Sequence, residues 1–299
     1  MKKTITLFLA LLCGAGAFSQ TAPISALTKK VQGIIATTDG DIGVAIKKLG
    51  TNDSVVINGS KHYPMQSVFK FPLALAALDM VDQSKLSLGE KIRIPRESVD
   101  TTTWSPMLKD HPKGDIEVTL SELLIYAVSK SDNNACDALF QLSGGTKHVN
   151  DFIHNLGVTG INIAATEGEM KQNWLVQYSN WCEPVAMLHL LELFNDAKTV
   201  SRMNNFLLMR MMIESQNPTT RIKALLPEKT TVAHKTGSSD TNSDGLTAAT
   251  NDVGIVTLPD GSAFAIVVYV SNSKAKPEKS EHVIAEIAKA AWDYYTAGK

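Results

Sequence analysis

The chain has 299 residues and a formal net charge of -1, with 44 % hydrophobic and 20 % charged residues. That composition is ordinary for a globular protein, and the length supplies apolar material for one large domain or two intertwined lobes. A near-neutral balance without a basic stripe or a long run of one charge excludes an electrostatic case for nucleic acid or an anionic membrane as partner.

The first residues read as a leader. Lys2 and Lys3 precede an apolar stretch from Ile5 to Phe18 that is too short and too rich in Gly and Ala for a good membrane span. Ala17 and Ser19 supply the small residues a signal peptidase needs, so residues 1–19 are predicted to be a signal peptide cut near Gln20. The mature protein is then periplasmic or secreted, with no membrane span. Lipid attachment at Cys13 is less favoured, because bulky Leu12 stands where a lipobox wants a small residue. Oxidising surroundings would permit a bridge between Cys136 and Cys182, but sequence does not show that they approach, and two buried free thiols are expected. The seven histidines are scattered and no HExxH or CxxC occurs, so no metal site is predicted.

Ala26–Ile35 reads as a first helix entered through Pro23 and Ser25. Asp41–Leu49 alternates as a strand, Gly50–Asp53 as a turn and Ser54–Asn58 as the returning strand of a hairpin. Ser67–Met80 is Ala/Leu-rich and helical, with Pro72 inside it expected to cost a hydrogen bond or a bend. Thr119 and Glu122 form a capping-box pattern that opens a helix towards Lys130. Further helices run from Asn134 to Gly144-Gly145 and from Thr146 to Leu156, with Gly157 as the residue past the end. Thr166–Cys182 reads as a long polar and aromatic loop, of a length that is usually functional or disordered. Pro184–Phe194 and Ser201–Glu214 have helical periodicity. Thr231–Lys235, Thr247–Leu258 and Ser262–Val270 are β-rich, and Pro277–Tyr295 is a closing helix.

Strands, then helices, then strands again predict an α/β (α+β) architecture. Residues 20–63 and 215–299 would form an antiparallel sheet flanked by the terminal helices. Residues 64–214 would be an inserted all-helical lobe that includes the 166–182 loop. The groove between the lobes is the expected place for a site.

Three short stretches carry chemistry. Ser67 stands three residues before Lys70, on one helical face, so the amine can reach the hydroxyl. Two further SxxK matches, Ser271 with Lys274 and Ser273 with Lys276, lie in a polar stretch and read as surface. Ser131-Asp132-Asn133 sits at a helix junction. Any of the three suits an N-cap, and capping by one of them does not exclude the Ser131 hydroxyl as a proton relay or the Asn133 amide as a substrate ligand. Lys235-Thr236-Gly237 lies on a predicted strand edge, where lysine and hydroxyl can bind a carboxylate and glycine lets a ligand lie against the backbone.

In this order, the three stretches resemble the motif set of class A serine β-lactamases. The resemblance covers nearly the whole mature chain and is nearest to the PER/CfxA-like extended-spectrum branch. It rests also on Ser131–Asp137, Gln177–Trp181, Ala233–Gly237 and Thr247–Asp252. It implies hydrolysis of the β-lactam amide through a Ser67 acyl-enzyme, with Lys70 or a Glu167-activated water as acylation base and the Glu167 water as deacylating nucleophile. Glu169 is the second candidate for the glutamate. The resemblance further implies a Ser131 proton relay and an oxyanion hole from the backbone N–H groups of Ser67 and Ser238. Lys235, Thr236 and Ser238 would hold the substrate carboxylate, Arg221 would add a second positive charge, Asn133 would bond the acylamino group, and Trp104 would line the rim or fill the core. A small-molecule β-lactam is the implied partner, no cofactor is needed, and a monomer is expected.

The sequence departs from the commonest family pattern in one region. Gly168 follows Glu167 where a proline is usual, Lys171 replaces an asparagine and Asn180 an aspartate, which implies a differently folded loop. Ser238–Gly245 looks long, implying a wider site beside the strand. The rival reading is a penicillin-binding protein, DD-peptidase or penicillin sensor, which would acylate on Ser67 without an effective deacylating glutamate.

Overall fold

The structure is a computed structural model that describes residues 23–216 and 219–297. The predicted signal peptide, residues 1–19, lies outside the described residues. The chain begins with α1 (Ile24–Ile35), β1 (Asp41–Lys48), β2 (Ser54–Ile57) and β3 (Tyr63–Pro64). A 3-10 turn, Gln66–Phe69, leads into α2 (Lys70–Asp82), followed by β4 (Lys91–Ile94), α3 (Pro106–Asp110) and β5 (Ile116–Thr119). Next come α4 (Leu120–Val128), α5 (Asn133–Leu142), α6 (Gly145–Asn155), β6 (Ile161–Asn162) and α7 (Glu167–Gln172). After a 3-10 segment, Trp174–Ser179, follow β7 (Trp181–Cys182), α8 (Pro184–Asn195) and α9 (Arg202–Ile213). The chain closes with β8 (Val232–Ser238), β9 (Thr247–Thr257), β10 (Ala263–Ser273) and α10 (Pro277–Thr296).

First and last strands join in one antiparallel five-stranded sheet of order β2-β1-β10-β9-β8, as the layout predicts. Both faces are covered, which is why its central strands read as nearly continuous apolar runs. Val44, Ile46, Ile266 and Val268 face Leu27 and Val31 of α1 and Val283, Ile287 and Ala291 of α10. Ala45, Val267, Tyr269 and Val253 belong to a second core built around α2. That helix buries Phe71, Leu73, Ala74, Leu75, Ala76, Ala77 and Leu78. A helix apolar all round needs other elements on every side, and α4, α5, α6 and α9 pack against it.

Four expectations need correction. Pro72 costs no hydrogen bond, because the 3-10 turn ends at Phe69 and the proline falls in the first turn of α2, where amide donors lack intrahelical partners. Residues 64–214 are not all-helical: they hold the two-stranded antiparallel β4-β5 sheet and, with Tyr63, the small β3-β7-β6 sheet. Strands of two to four residues are too short to show a period-two pattern. Thr166–Cys182 is built from α7, a 3-10 segment and β7 rather than open loop. The signal for α7 was present, since Thr166 and Glu169 form a capping box. Ser271 and Ser273 are buried in β10, with Ser273 Oγ donating to Asp39, so they are strand residues of the sheet and not surface. Cys136 and Cys182 are both buried and unpaired.

Candidate active site

Ser67 sits in the 3-10 turn that opens α2. The preceding Gln66 has φ 48°, a left-handed conformation that costs a non-glycine residue about 1–3 kcal/mol and needs surroundings that hold it. Those surroundings come from three sides. Asn180 O accepts the Met65 N–H at 2.8 Å. Asn251 of β9 donates its side-chain amide to Pro64 O and Met65 O at 2.8 and 3.1 Å. The backbone of β8 presses so close that a Cβ on Gly237 would stand 2.3 Å from Met65 O, which explains the glycine of the Lys-Thr-Gly stretch.

Lys70, one turn past Ser67 and the first residue of α2, is fully buried. Its Nζ lies 3.0 Å from Ser67 Oγ, 2.6 Å from Asn133 Oδ1, 2.9 Å from Ser131 O and 2.8 Å from Glu167 Oε1. Glu167 Oε1 in turn stands 3.5 Å from Ser67 Oγ. Serine, amine and carboxylate are therefore mutually within reach of a proton transfer. Across the cleft, buried Lys235 of β8 donates to Ser131 Oγ at 2.8 Å and to Thr236 O at 3.1 Å. Burial, and then the positive charge of Lys70, hold the Lys235 ammonium well below the usual lysine range. Ser131 also has left-handed backbone, φ 56°. The N-cap of the junction is Asp132, whose carboxylate accepts Ala135 N–H, Met107 N–H and Ser105 Oγ–H, so Ser131 and Asn133 remain free of that task.

One cavity of about 1120 Å³ brings together Ser67, Trp104, Ser131, Asn133, Glu167, Thr236 and Ser238. Lys70 and Lys235 are buried behind these residues. Trp104 is at the rim, 57 % exposed, with its indole N–H on Lys130 O and the Lys109 ammonium 4.8 Å from the ring. Arg221 stands behind β8, beside Ser238. It is buried, and its guanidinium donates to Gly237 O, Asn251 O, Ser238 Oγ and Glu281 of α10. Its charge is paired with the Glu281 carboxylate at 3.1 Å. Glu169 completes the capping box of α7, its carboxylate accepting the N–H of the N-cap Thr166 at 2.8 Å, and it does not line the cavity. The Ser238–Gly245 segment closes as a turn on Asn242 Oδ1, and places Ser239 and Asp240 at the cavity wall.

Sequence reasoning missed the group that holds Glu167. Asp137 of α5 accepts the Glu167 N–H on one carboxylate oxygen and the Gly168 N–H on the other, at 2.8 and 2.9 Å. A Cβ at Gly168 would approach Asp137 Oδ2 to 3.1 Å, so glycine there keeps the carboxylate close. The signal was helical spacing: Asp137 lies one turn beyond Asn133 on the same face. Burial pushes the Asp137 carboxyl up to about 6, with the negative charge of Glu167 acting in the same direction. Its folded value lies above the unfolded 3.8, so the native state takes up the proton first and this group does not weaken the fold as pH falls through that window. The proton does turn an acceptor oxygen facing an amide N–H into a hydroxyl. Turnover is therefore expected to fall below about pH 6 without a matching loss of thermal stability from this group. Asp137→Asn should abolish that step while lowering kcat by up to about 100-fold through misplacement of Glu167. A pH–rate profile of both proteins checks this.

Asn180 closes the same region. Its Oδ1 accepts Ala164 N–H and Ala165 N–H at 2.8 and 2.9 Å, and its Nδ2 donates to Ala165 O at 2.7 Å. An aspartate could not make the last bond. Asn180→Ala leaves buried backbone groups unpaired and is expected to cost about 3 kcal/mol, read as a lower unfolding midpoint in denaturant.

A serine hydroxyl held between a buried lysine and a carboxylate, with a second lysine–serine pair across the cleft, is the constellation of a serine acyl-transfer enzyme. Residues 26–295 match the model of the β-lactamase enzyme family. The chain is 41 % identical over 271 residues to β-lactamase VEB-1 of Pseudomonas aeruginosa, covering 90 % of each. It is 35 % identical over 294 residues to the extended-spectrum β-lactamase PER-1 of the same organism, covering 98 % of this chain and 95 % of that one. The crystal structure of a β-lactamase from Chitinophaga pinensis superposes with a TM-score of 0.89 at 48 % identity, over 91 % of this chain and all of that one. The chain belongs to the β-lactamase enzyme family, in its PER-like class A group. Among the described residues no helix is long and apolar enough to cross a membrane.

Proposed function

We propose that the exported protein hydrolyses the β-lactam amide of penicillins and especially cephalosporins through an ester on Ser67, and so confers resistance. The observation that carries this reading is the placement of Lys70 Nζ within 3.0 Å of both Ser67 Oγ and Glu167 Oε1. The substrate carboxylate lies against Lys235, Thr236 and Ser238, and Asn133 bonds the acylamino group. Ser67 Oγ attacks the lactam carbonyl while Lys70, or Glu167 through a water, takes its proton. The backbone N–H groups of Ser67 and Ser238 receive the developing oxyanion, each worth about 3–4 kcal/mol in the barrier. Lys235 poises the Ser131 hydroxyl to deliver a proton to the lactam nitrogen as the C–N bond breaks. Glu167 then deprotonates the water that hydrolyses the ester. A spectrum that favours cephalosporins, bulky ones included, is supported by the cavity's volume of about 1120 Å³ and by likeness to an enzyme named extended-spectrum. Hydrolysis of a chromogenic cephalosporin by the mature protein tests the reading. Many turnovers per molecule support it, and one stoichiometric burst would point to a penicillin-binding or sensing protein.

A further inference from the structure

Lys171 does not point at the catalytic groups. From the last turn of α7 its ammonium reaches across to the Asp100 carboxylate and the Thr102 hydroxyl. Asp100 is held from the far side by Asn134 of α5, whose amide side chain accepts the Asp100 N–H at 2.8 Å and donates to Asp100 O at 2.9 Å. The next residues hang from the same helix: Asn133 donates its side-chain amide to Thr103 Oγ1 and its N–H to Trp104 O. The opposite wall, α7, hangs from α5 through Asp137. Both walls of the cavity are thus fastened to one helix at their bases, and the Lys171–Asp100 contact joins them at the far end. Thr102, Thr103, Met170 and Lys171 all line the cavity.

Resting on the reading of the site as a β-lactam hydrolase, we infer that this bridge is a strap that limits the bulk of the substrate's acyl substituent, with Lys171 as its specificity-determining residue. With the carboxylate end of the substrate at Thr236 and Ser238 and the reacting carbonyl at Ser67, the acyl group beyond Asn133 must lie between the two strapped walls. A small group fits beneath the bridge, whereas a branched one must part it. The two side chains are 46 and 36 % exposed, so the pair is weak and opens within a turnover. An exposed pair of this kind discriminates by up to about fivefold.

The test compares kcat/KM for two cephalosporins that share one nucleus, one with a small linear acyl group and one with a bulky branched group. In Lys171→Ala and in Asp100→Asn the ratio of bulky to small is expected to rise about fivefold, with no further rise in the double variant, since one contact is cut either way. Lys171→Arg should restore the wild-type ratio. About 1 M salt should raise the ratio of the wild type towards that of the variants and leave Lys171→Ala unmoved. Any general loosening of α7 changes both substrates alike and cancels in the ratio. A ratio that stays at the wild-type value in both single variants, or that rises additively in the double, overturns the strap alone. Failure of the unchanged protein to hydrolyse either cephalosporin overturns the functional reading, and the strap with it.

Discussion

Ser67→Ala is expected to lower kcat for β-lactam hydrolysis by at least about 10⁴-fold, with no covalent adduct on the protein. The hydroxyl lines the cavity between two groups that could take its proton, 3.0 Å from Lys70 Nζ and 3.5 Å from Glu167 Oε1. Removing it leaves the cavity, the backbone N–H groups of residues 67 and 238 and the β8 strand in place, so substrate should still bind. It also leaves the fold in place. Gln66 keeps its side-chain bond to Gln177, and Met65 keeps its backbone bond to Asn180. Calorimetric binding of a cephalosporin beside an unchanged melting temperature would separate loss of chemistry from loss of structure. Residual turnover within about tenfold of wild type would mean that another group attacks the lactam.

Glu167→Gln should divide the reaction in two. The amide keeps the size of the carboxylate but cannot take a proton, so hydrolysis of the ester should slow by about 10³–10⁴-fold. The first step reports on the acylation base. Lys70 loses its carboxylate partner at 2.8 Å but keeps Ser67 Oγ, Asn133 Oδ1 and Ser131 O. A burst as fast as in the wild type would assign the first proton transfer to Lys70. A burst slowed as much as the second step would assign both transfers to Glu167.

The parts of the molecule legible in the sequence were those written in one local pattern. The capping box Thr119–Glu122 opens α4 as read, and Gly157, φ 86°, ends the α6 region. The Ser67, Ser131 and Lys235 stretches converge on one cleft. What was not legible depends on partners distant in the chain. No pattern around Arg221 announces that its guanidinium will be spent on β8, β9 and α10. Lys171 read as a missing asparagine, and only the fold shows that it reaches back 71 residues to Asp100. Asn180 read as a missing aspartate, yet its amide makes a bond to Ala165 O that the acid could not. Asp137 ends the Ser131–Asp137 stretch and lies at helical spacing from Asn133, but its grip on Glu167 needs α5 and α7 to meet.

The central claim, an ester on Ser67 that Glu167 clears, is tested most directly by intact-protein mass spectrometry of samples quenched during cephalosporin turnover, with the peptide carrying the adduct then sequenced. The account predicts an adduct on Ser67 that vanishes from the wild type once substrate is consumed and persists in Glu167→Gln. An adduct equally long-lived in both proteins, or one carried on a residue other than Ser67, would contradict it.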